Sequence, residues 1–144
     1  MLKQWLSRLA APDAQPHPPR EVAIAVLLLE CARADFERQP VELAEIRRLL
    51  GDELGLPAGE LDELIADAER SAREAVSLHG PVSRLNQDLS ADDKRALMAW
   101  LWRVAHADGH VDAHEEHLLR QIADLLYVPH ADFIRTRLAV GKGR

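Results

Sequence analysis

The chain has 144 residues, one cysteine and a formal net charge of −6, which suits a single domain with a hydrophobic core of its own. The acidic balance argues against nucleic-acid binding, because such proteins present a basic face to phosphates. No segment reaches the roughly 20 consecutive apolar residues that cross a bilayer. The lone Cys31 lies within an apolar run, which predicts a core thiol, a reducing compartment and a cytoplasmic protein.

Residues 1–19 are predicted to lie outside the domain, as a short amphipathic segment followed by a proline-rich linker. Residues 1–9 can place Leu2, Trp5, Leu6 and Leu9 on one side of a helix. The four prolines between residues 11 and 19 prevent that helix from continuing. The segment is expected either to dock on the domain or fray, or to contact a partner or the inner face of a membrane peripherally.

Helical periodicity dominates residues 20–140, and no β-type alternation interrupts it. The fold class is therefore all-α, with a tail at 141–144 that should fray. The apolar run from Val22 to Leu29 is hydrophobic on nearly every side, which predicts a central, buried helix. We expect helices over 20–35, 40–54, 57–78, 91–106, 113–126 and 129–140, with a short, mixed helical turn over 81–89.

The sharpest local feature is a charged corner between the helices at 91–106 and 113–126. Asp108 continues a helical stripe of apolar residues at steps of four, three and four, so it should point inward. Gly109 is expected at the helix end with a positive φ, and Asp112 with Glu115 predicts a capping box. Ser90 with Asp93 carries the same capping signal. The apolar residues of the stripe are Leu97, Leu101 and Val104.

A shift of 73 residues overlays the two halves of the chain, which predicts two pseudo-repeated helix–loop–helix units. Asp35 and Glu42 fall on Asp108 and Glu115. After one deletion, Leu56-Pro57 falls on Val128-Pro129. The first corner is weaker, because Phe36 and Gln39 stand where the second has Gly109 and Asp112. The other matched pairs are Leu28/Leu101, Cys31/Val104, Ala32/Ala105, Ala34/Ala107, Ile46/Leu119, Leu49/Ile122, Leu50/Ala123 and Leu61/Phe133.

These residues also carry a resemblance. Ala32-Arg-Ala-Asp-Phe36 with Glu42, and Leu101-Trp-Arg-Val-Ala-His-Ala-Asp-Gly109 with Glu115, resemble the tellurite-resistance TerB-like family from Arg20 to Leu138. The same domain type is similar to the N-terminal domain of a membrane-anchored J-domain co-chaperone. The resemblance implies a bundle of about seven helices in two pseudo-repeated units. It further implies a metal at the acidic corners and a role in membrane-associated stress-response assemblies.

Two interpretations of Asp35, Glu42, Asp108 and Glu115 stay open. Each Asp can accept hydrogen bonds from loop amides while each Glu closes a helix N-terminus, which explains the spacing structurally. Alternatively, the four carboxylates share a hard divalent cation, since buried carboxylates that face one another need a positive partner or a proton. The segment beginning at Asp108 is not an EF-hand, because its glycine and its twelfth-position Glu are missing and Leu119 stands at the latter.

The histidines His106, His110, His114 and His117 form a second candidate set. His114 and His117 lie one helical turn apart and can share a borderline metal such as zinc, or simply form a solvated surface. The motif His114-Glu-Glu-His117 lacks the spacing of a zinc-protease HExxH helix.

Catalysis finds little support, because the chain has no phosphate-binding glycine loop and no nucleophile elbow. We therefore expect a non-enzymatic binding module with a protein partner or a second copy. A small hydrolase with Asp108 beside His110 is the weaker alternative. Trp100 and Trp102 point to different sides of one helix, so one belongs to the core. The other can mark a partner-binding patch or a homodimer seam, and Trp102 is the one to examine if the carboxylates prove to be caps.

Overall fold

The computed structural model describes residues 19–33, 40–74, 77–107, 109 and 111–142. These residues form seven helices, and none of them lies in a β-strand. The all-α prediction is confirmed. The helices are α1 (Pro19–Arg33), α2 (Pro40–Leu54), α3 (Ala58–Glu74), α4 (His79–Asp88), α5 (Ala91–Ala105), α6 (Ala113–Leu125) and α7 (His130–Lys142).

Helix α1 is the centre of the fold, as its sequence predicts. Every residue from Val22 to Leu29 is buried, and Cys31 and Ala32 are buried as well. A helix that is apolar on all sides must be enclosed by other elements. Helices α2 to α6 each pack against α1, and α7 packs on α5 and α6.

Besides the packing around α1, a large contact joins α5 to α7. The indole of Trp102 on α5 and the ring of Phe133 on α7 lie with their centroids 5.2 Å apart, and both side chains are fully enclosed. Offset aromatic pairs at this distance stabilise a core beyond the area that they bury. The contact holds α7 against α5.

Among the described residues, the predicted helix bounds agree with the structure within two residues, except at the end of α3. Helix α3 ends at Glu74, and Ser77 and Leu78 are not helical although the prediction extends to Leu78. Helix α4 runs from His79 for ten residues, whereas a single turn is predicted. Gly80 and Pro81 lie in its first turn, where a helix needs no amide donor. Helix α7 continues to Lys142, two residues beyond its predicted end, while 143–144 lie outside the described residues.

The N-terminal segment with Trp5 and its linker also falls outside the described residues, except for Pro19, where α1 begins. The division into residues 1–19, 20–140 and 141–144 therefore stays a prediction. The pseudo-repeat stays a prediction too, although matched positions agree in burial: Leu28 and Leu101 are buried, as are Ile46 and Leu119.

Helices α2 and α6 end in the same hydrogen-bonded motif with different residues at its left-handed position. After α2, Gly55 has φ +67°, and Leu56 N donates to Gly51 O at 3.1 Å. After α6, Tyr127 has φ +59°, and Val128 N donates to Ala123 O at 2.9 Å. Glycine takes this conformation freely, whereas a side chain is strained in it. Tyr127 therefore holds a strained backbone while 79% of its surface is exposed.

Because of this strain, we expect glycine to be more stable than alanine at position 127, the reverse of their order inside a helix. We expect Tyr127→Gly to be more stable than Tyr127→Ala by about 1 kcal/mol, because only the alanine keeps a Cβ in the left-handed conformation. Urea unfolding of both variants measures the difference.

The matched control is Ala66, an exposed residue inside α3. Ala66→Gly should lower the free energy of unfolding by about 1 kcal/mol, the opposite sign. If alanine is also the more stable residue at position 127, the backbone there is not strained.

Candidate functional site

Two acidic corners are predicted, the first between α1 and α2 and the second between α5 and α6. The first corner covers residues 34–39 and Glu42, and the second covers residues 106–112 and Glu115. Asp35, Asp108 and His110 lie outside the described residues, so the geometry of each corner rests on its glutamate and its flanking helices. The hydrolase alternative, which pairs Asp108 with His110, falls on these same residues and stays untested.

Glu42 and Glu115 occupy the same place in their helices. Each is the third residue of its helix, α2 or α6, and each belongs to the first turn. Their exposed fractions are 0% and 2%, and they are the only buried charged residues in the described part of the chain. Ionised carboxylates are costly to bury unless hydrogen bonds, a proton or a cation compensate them. The sequence therefore places its two buried carboxylates at two matching helix starts.

The second corner has the local structure that its sequence predicts. Asp112 Oδ1 accepts a hydrogen bond from Glu115 N at 2.8 Å, and Glu115 Oε1 accepts one from Asp112 N at 3.2 Å. This reciprocal pair is the predicted capping box. Gly109 has the expected positive φ, +99°. The predicted capping box is thus confirmed, and its bond to the Asp112 amide uses one of the two carboxylate oxygens of Glu115.

Ser90 and Asp93 form the other predicted capping box, at the start of α5. Ser90 Oγ accepts from Asp93 N at 3.1 Å, and Asp93 Oδ2 accepts from Ser90 N at 3.2 Å. Asp93 is exposed, whereas Glu115 is buried. Capping therefore explains the spacing of Asp112 and Glu115 but does not require the burial of Glu115.

A contact between α1 and α5 connects the chain segments that lead into the two corners. The Cys31 thiol donates to the Leu101 carbonyl oxygen at 3.7 Å across a separation of 70 residues. Cys31 is fully buried, as predicted. The last turn of α1 thus packs on the second half of α5. Helices α2 and α6, which start after the corners, both pack on this α1–α5 pair.

The candidate histidines separate into different environments. The imidazole of His106 lies beside the indole of Trp102, with centroids 6.1 Å apart. His114 and His117 are exposed on α6. Within the described residues, no three His, Cys, Asp or Glu side chains are grouped so that they could hold a metal ion. Because Asp35, Asp108 and His110 are not among these residues, the four-carboxylate site and the histidine site both stay predictions.

The expectation for Trp102 as a surface residue is wrong. Its exposed fraction is 0%, because the indole packs against Phe133 and beneath the Arg137 guanidinium, which lies 5.7 Å from the ring centroid. Trp100 is the more exposed tryptophan of the two and is half-buried. The two tryptophans do face different sides, but α7 covers the side that carries Trp102.

Sequence reasoning overlooked Tyr127 and Arg103. The repeat alignment contains a signal for Tyr127, because the deletion that aligns Leu56 with Val128 also aligns Gly55 with Tyr127. A tyrosine at the position of a helix-ending glycine indicates either strain or a changed turn. Arg103 has no comparable signal, since a basic residue in the last turn of a helix is ordinary.

Together these features define a class of protein: an all-α bundle around a buried, apolar helix, with a buried glutamate in the first turn of two other helices. The family model described as "Tellurite resistance protein TerB" matches residues 21–138, which is most of the chain. The chain belongs to the TerB family. No curated protein and no solved structure matches it. Among the helices of the described residues, none has the length and apolarity of a membrane span.

The capping box at α6 leads to a prediction about charge. Asp112→Ala should lower the free energy of unfolding by about 1 kcal/mol, because the Glu115 amide loses its acceptor. Asp112→Asn should change it little, since the side-chain oxygen still accepts the bond. Urea unfolding in the presence of a chelator measures both variants, with Ser90→Ala on α5 as the matched loss of a cap. An Asp112→Asn variant as unstable as Asp112→Ala would show that the charge of Asp112 is needed.

Proposed function

We propose that the chain is a non-enzymatic binding module whose acidic corners hold a divalent cation. The observation that carries this proposal is the burial of Glu42 and Glu115 at two matching helix starts. Helix N-termini favour a nearby carboxylate, but a first-turn carboxylate can do this at the surface, as Asp93 does. Enclosing both carboxylates suggests a further positive partner.

The donor set fits a hard cation. Carboxylate oxygens are the ligands that Ca²⁺ and Mg²⁺ prefer, whereas the thiol of Cys31 is bonded to a backbone carbonyl in the core. Glu42 and Glu115 would hold the ion together with Asp35 and Asp108. The ion would neutralise buried charge and link the two helix pairs across α1 and α5. Its contribution is therefore structural, and partner binding would become dependent on the cation.

Family membership supports the wider role. The family description names tellurite resistance, and we propose that the module acts through a protein partner in a stress-response assembly in the cytoplasm. A peripheral membrane contact through residues 1–9 belongs to the same proposal. No chemistry towards tellurite is included in it.

Thermal unfolding of chelator-stripped protein tests the cation. We expect one of Mg²⁺, Ca²⁺, Mn²⁺ or Zn²⁺ to raise the unfolding midpoint, because a ligand at 100 times its Kd adds about 2.7 kcal/mol to the free energy of unfolding. For a domain of this size, that corresponds to roughly 5–10 °C. Glu42→Gln, Glu115→Gln, Asp35→Asn and Asp108→Asn should each abolish the rise.

The control is Asp92→Asn, whose carboxylate is 84% exposed in the first turn of α5. This variant should keep the full response to the cation. If no cation shifts the midpoint of the wild type, the corners are structural caps and the module binds its partner without a metal. If Zn²⁺ alone acts and the four variants keep the response, the histidine set holds the ion instead.

A further inference from the structure

A cleft of about 610 Å³ lies between α2, α5 and α7, and we name it the α2–α5–α7 cleft. It does not include Glu42 or Glu115, which face the interior. Its apolar lining consists almost entirely of alanine and valine, and Val41 is 44% exposed although it is apolar. The apolar residues of the lining are Val41, Ala44, Ala99, Ala107, Ala139 and Val140.

Three charged residues line the cleft, one acidic and two basic: Glu45, Arg48 and Arg103. Arg48 Nε donates to Glu45 Oε1 at 3.0 Å, and its Nη1 lies 3.5 Å from Asp52 Oδ2. The hydrogen bond to Glu45 raises the pKa of Arg48, so Arg48 already has a carboxylate partner within α2. Arg103 also lines the cleft and is half-buried. Among the described residues, none forms an ion pair or hydrogen bond with Arg103.

The lining suits a helix. Alanine side chains extend only one carbon from the backbone, so an incoming helix can approach closely, within the 8–10 Å typical of packed helices. A volume of 610 Å³ accommodates the few side chains that an amphipathic helix inserts from one face, at steps of three and four residues. Arg103 offers a guanidinium whose planar donors match a carboxylate.

The occupant must therefore be both apolar and acidic. Residues 1–9 of the chain are amphipathic but contain Lys3 and Arg8 and no acidic residue, so they cannot supply a carboxylate. We infer that the α2–α5–α7 cleft binds an amphipathic helix of a partner protein, which places small apolar side chains on the alanines and a carboxylate on Arg103. This surface goes beyond the acidic corners, since it uses a different face of α2 and a charge of the opposite sign.

Selection from a displayed library of amphipathic helices tests the inference with defined probes. The library has three-turn helices with an apolar stripe and randomised flanking positions, and it is sorted against the wild type. We expect enrichment of helices with Asp or Glu beside small apolar residues. Fluorescence anisotropy with the best peptide should show that Arg103→Glu weakens binding at least about tenfold, because like charges then face each other.

A second variant examines shape without changing charge. Ala44 lines the cleft on an exposed position of α2, and Ala44→Trp should block the peptide. The matched controls lie on α3, which is not part of the cleft: Ala66→Trp at an exposed alanine and Arg73→Glu at an exposed arginine. Both controls should bind the peptide as the wild type does, and circular dichroism should show all four variants folded.

Three outcomes would overturn the inference. The first is a library that yields no helix above background. The second is a set of selected peptides that bind Arg103→Glu and Ala44→Trp as strongly as the wild type. The third is that the library yields no peptide but the wild type self-associates, and Arg103→Glu abolishes this self-association. That result would assign the cleft to a second copy of this chain. Glu42→Gln, which alters an acidic corner and leaves the cleft unchanged, is measured in parallel with chelator and with each cation. Its response to cations tests the acidic corners, so failure of that proposal can be told apart from failure of the cleft.

Discussion

The fold depends on enclosing α1, which has no polar face between Val22 and Leu29. Five helices pack against it, and two of them, α2 and α6, also pack on α5. One side of each first turn lies against the interior, and the third residue of each helix, Glu42 or Glu115, is enclosed there. Burial of these carboxylates is thus a consequence of how a fully apolar helix is covered. Whatever neutralises the carboxylates also helps to hold the cover in place.

Helix α2 serves two surfaces at once. Its inner face carries Glu42 with Ile46 and Leu49 into the core, while its outer face carries Val41 and Ala44 to the cleft. Within each set the residues are three or four positions apart, so each set lies on one face of the helix. The acidic corner and the cleft consequently share a helix but no side chain. A cation at the corner would fix the position of α2, and with it one wall of the cleft.

Local signals explain what the sequence could predict. Both bounds of α2 and both capping boxes depend on residues within four positions of each other, such as Asp112 and Glu115. The length of α4 was missed because Gly80-Pro81 indicates a break, yet both residues are tolerated in a first helical turn. Which tryptophan of α5 is buried depends on Phe133 in α7, a partner that periodicity within α5 cannot identify.

In the candidate site too, nearby residues determine some features and distant helices determine others. Spacing along the chain predicts that Glu42 and Glu115 lie in the first turns of their helices, and they do. The completeness of their burial depends on helix packing, which spacing alone does not determine. The cleft is harder still, because residues from α2, α5 and α7 build it together. Arg103 becomes a candidate binding residue only because residues of α2 and α7 form the cleft around it.

The position of α1 also has a consequence for biosynthesis. Translation proceeds from the N-terminus, so α1 emerges from the ribosome before every helix that covers it. Its contact with Leu101 must wait for a stretch of 70 further residues, which at 5–20 residues per second takes roughly 4–14 s. During this interval α2, α3 and α4 can already cover part of α1, but its contacts with α5 and α6 are missing. Full enclosure of α1 therefore has to wait until α6 has been made, far along the chain.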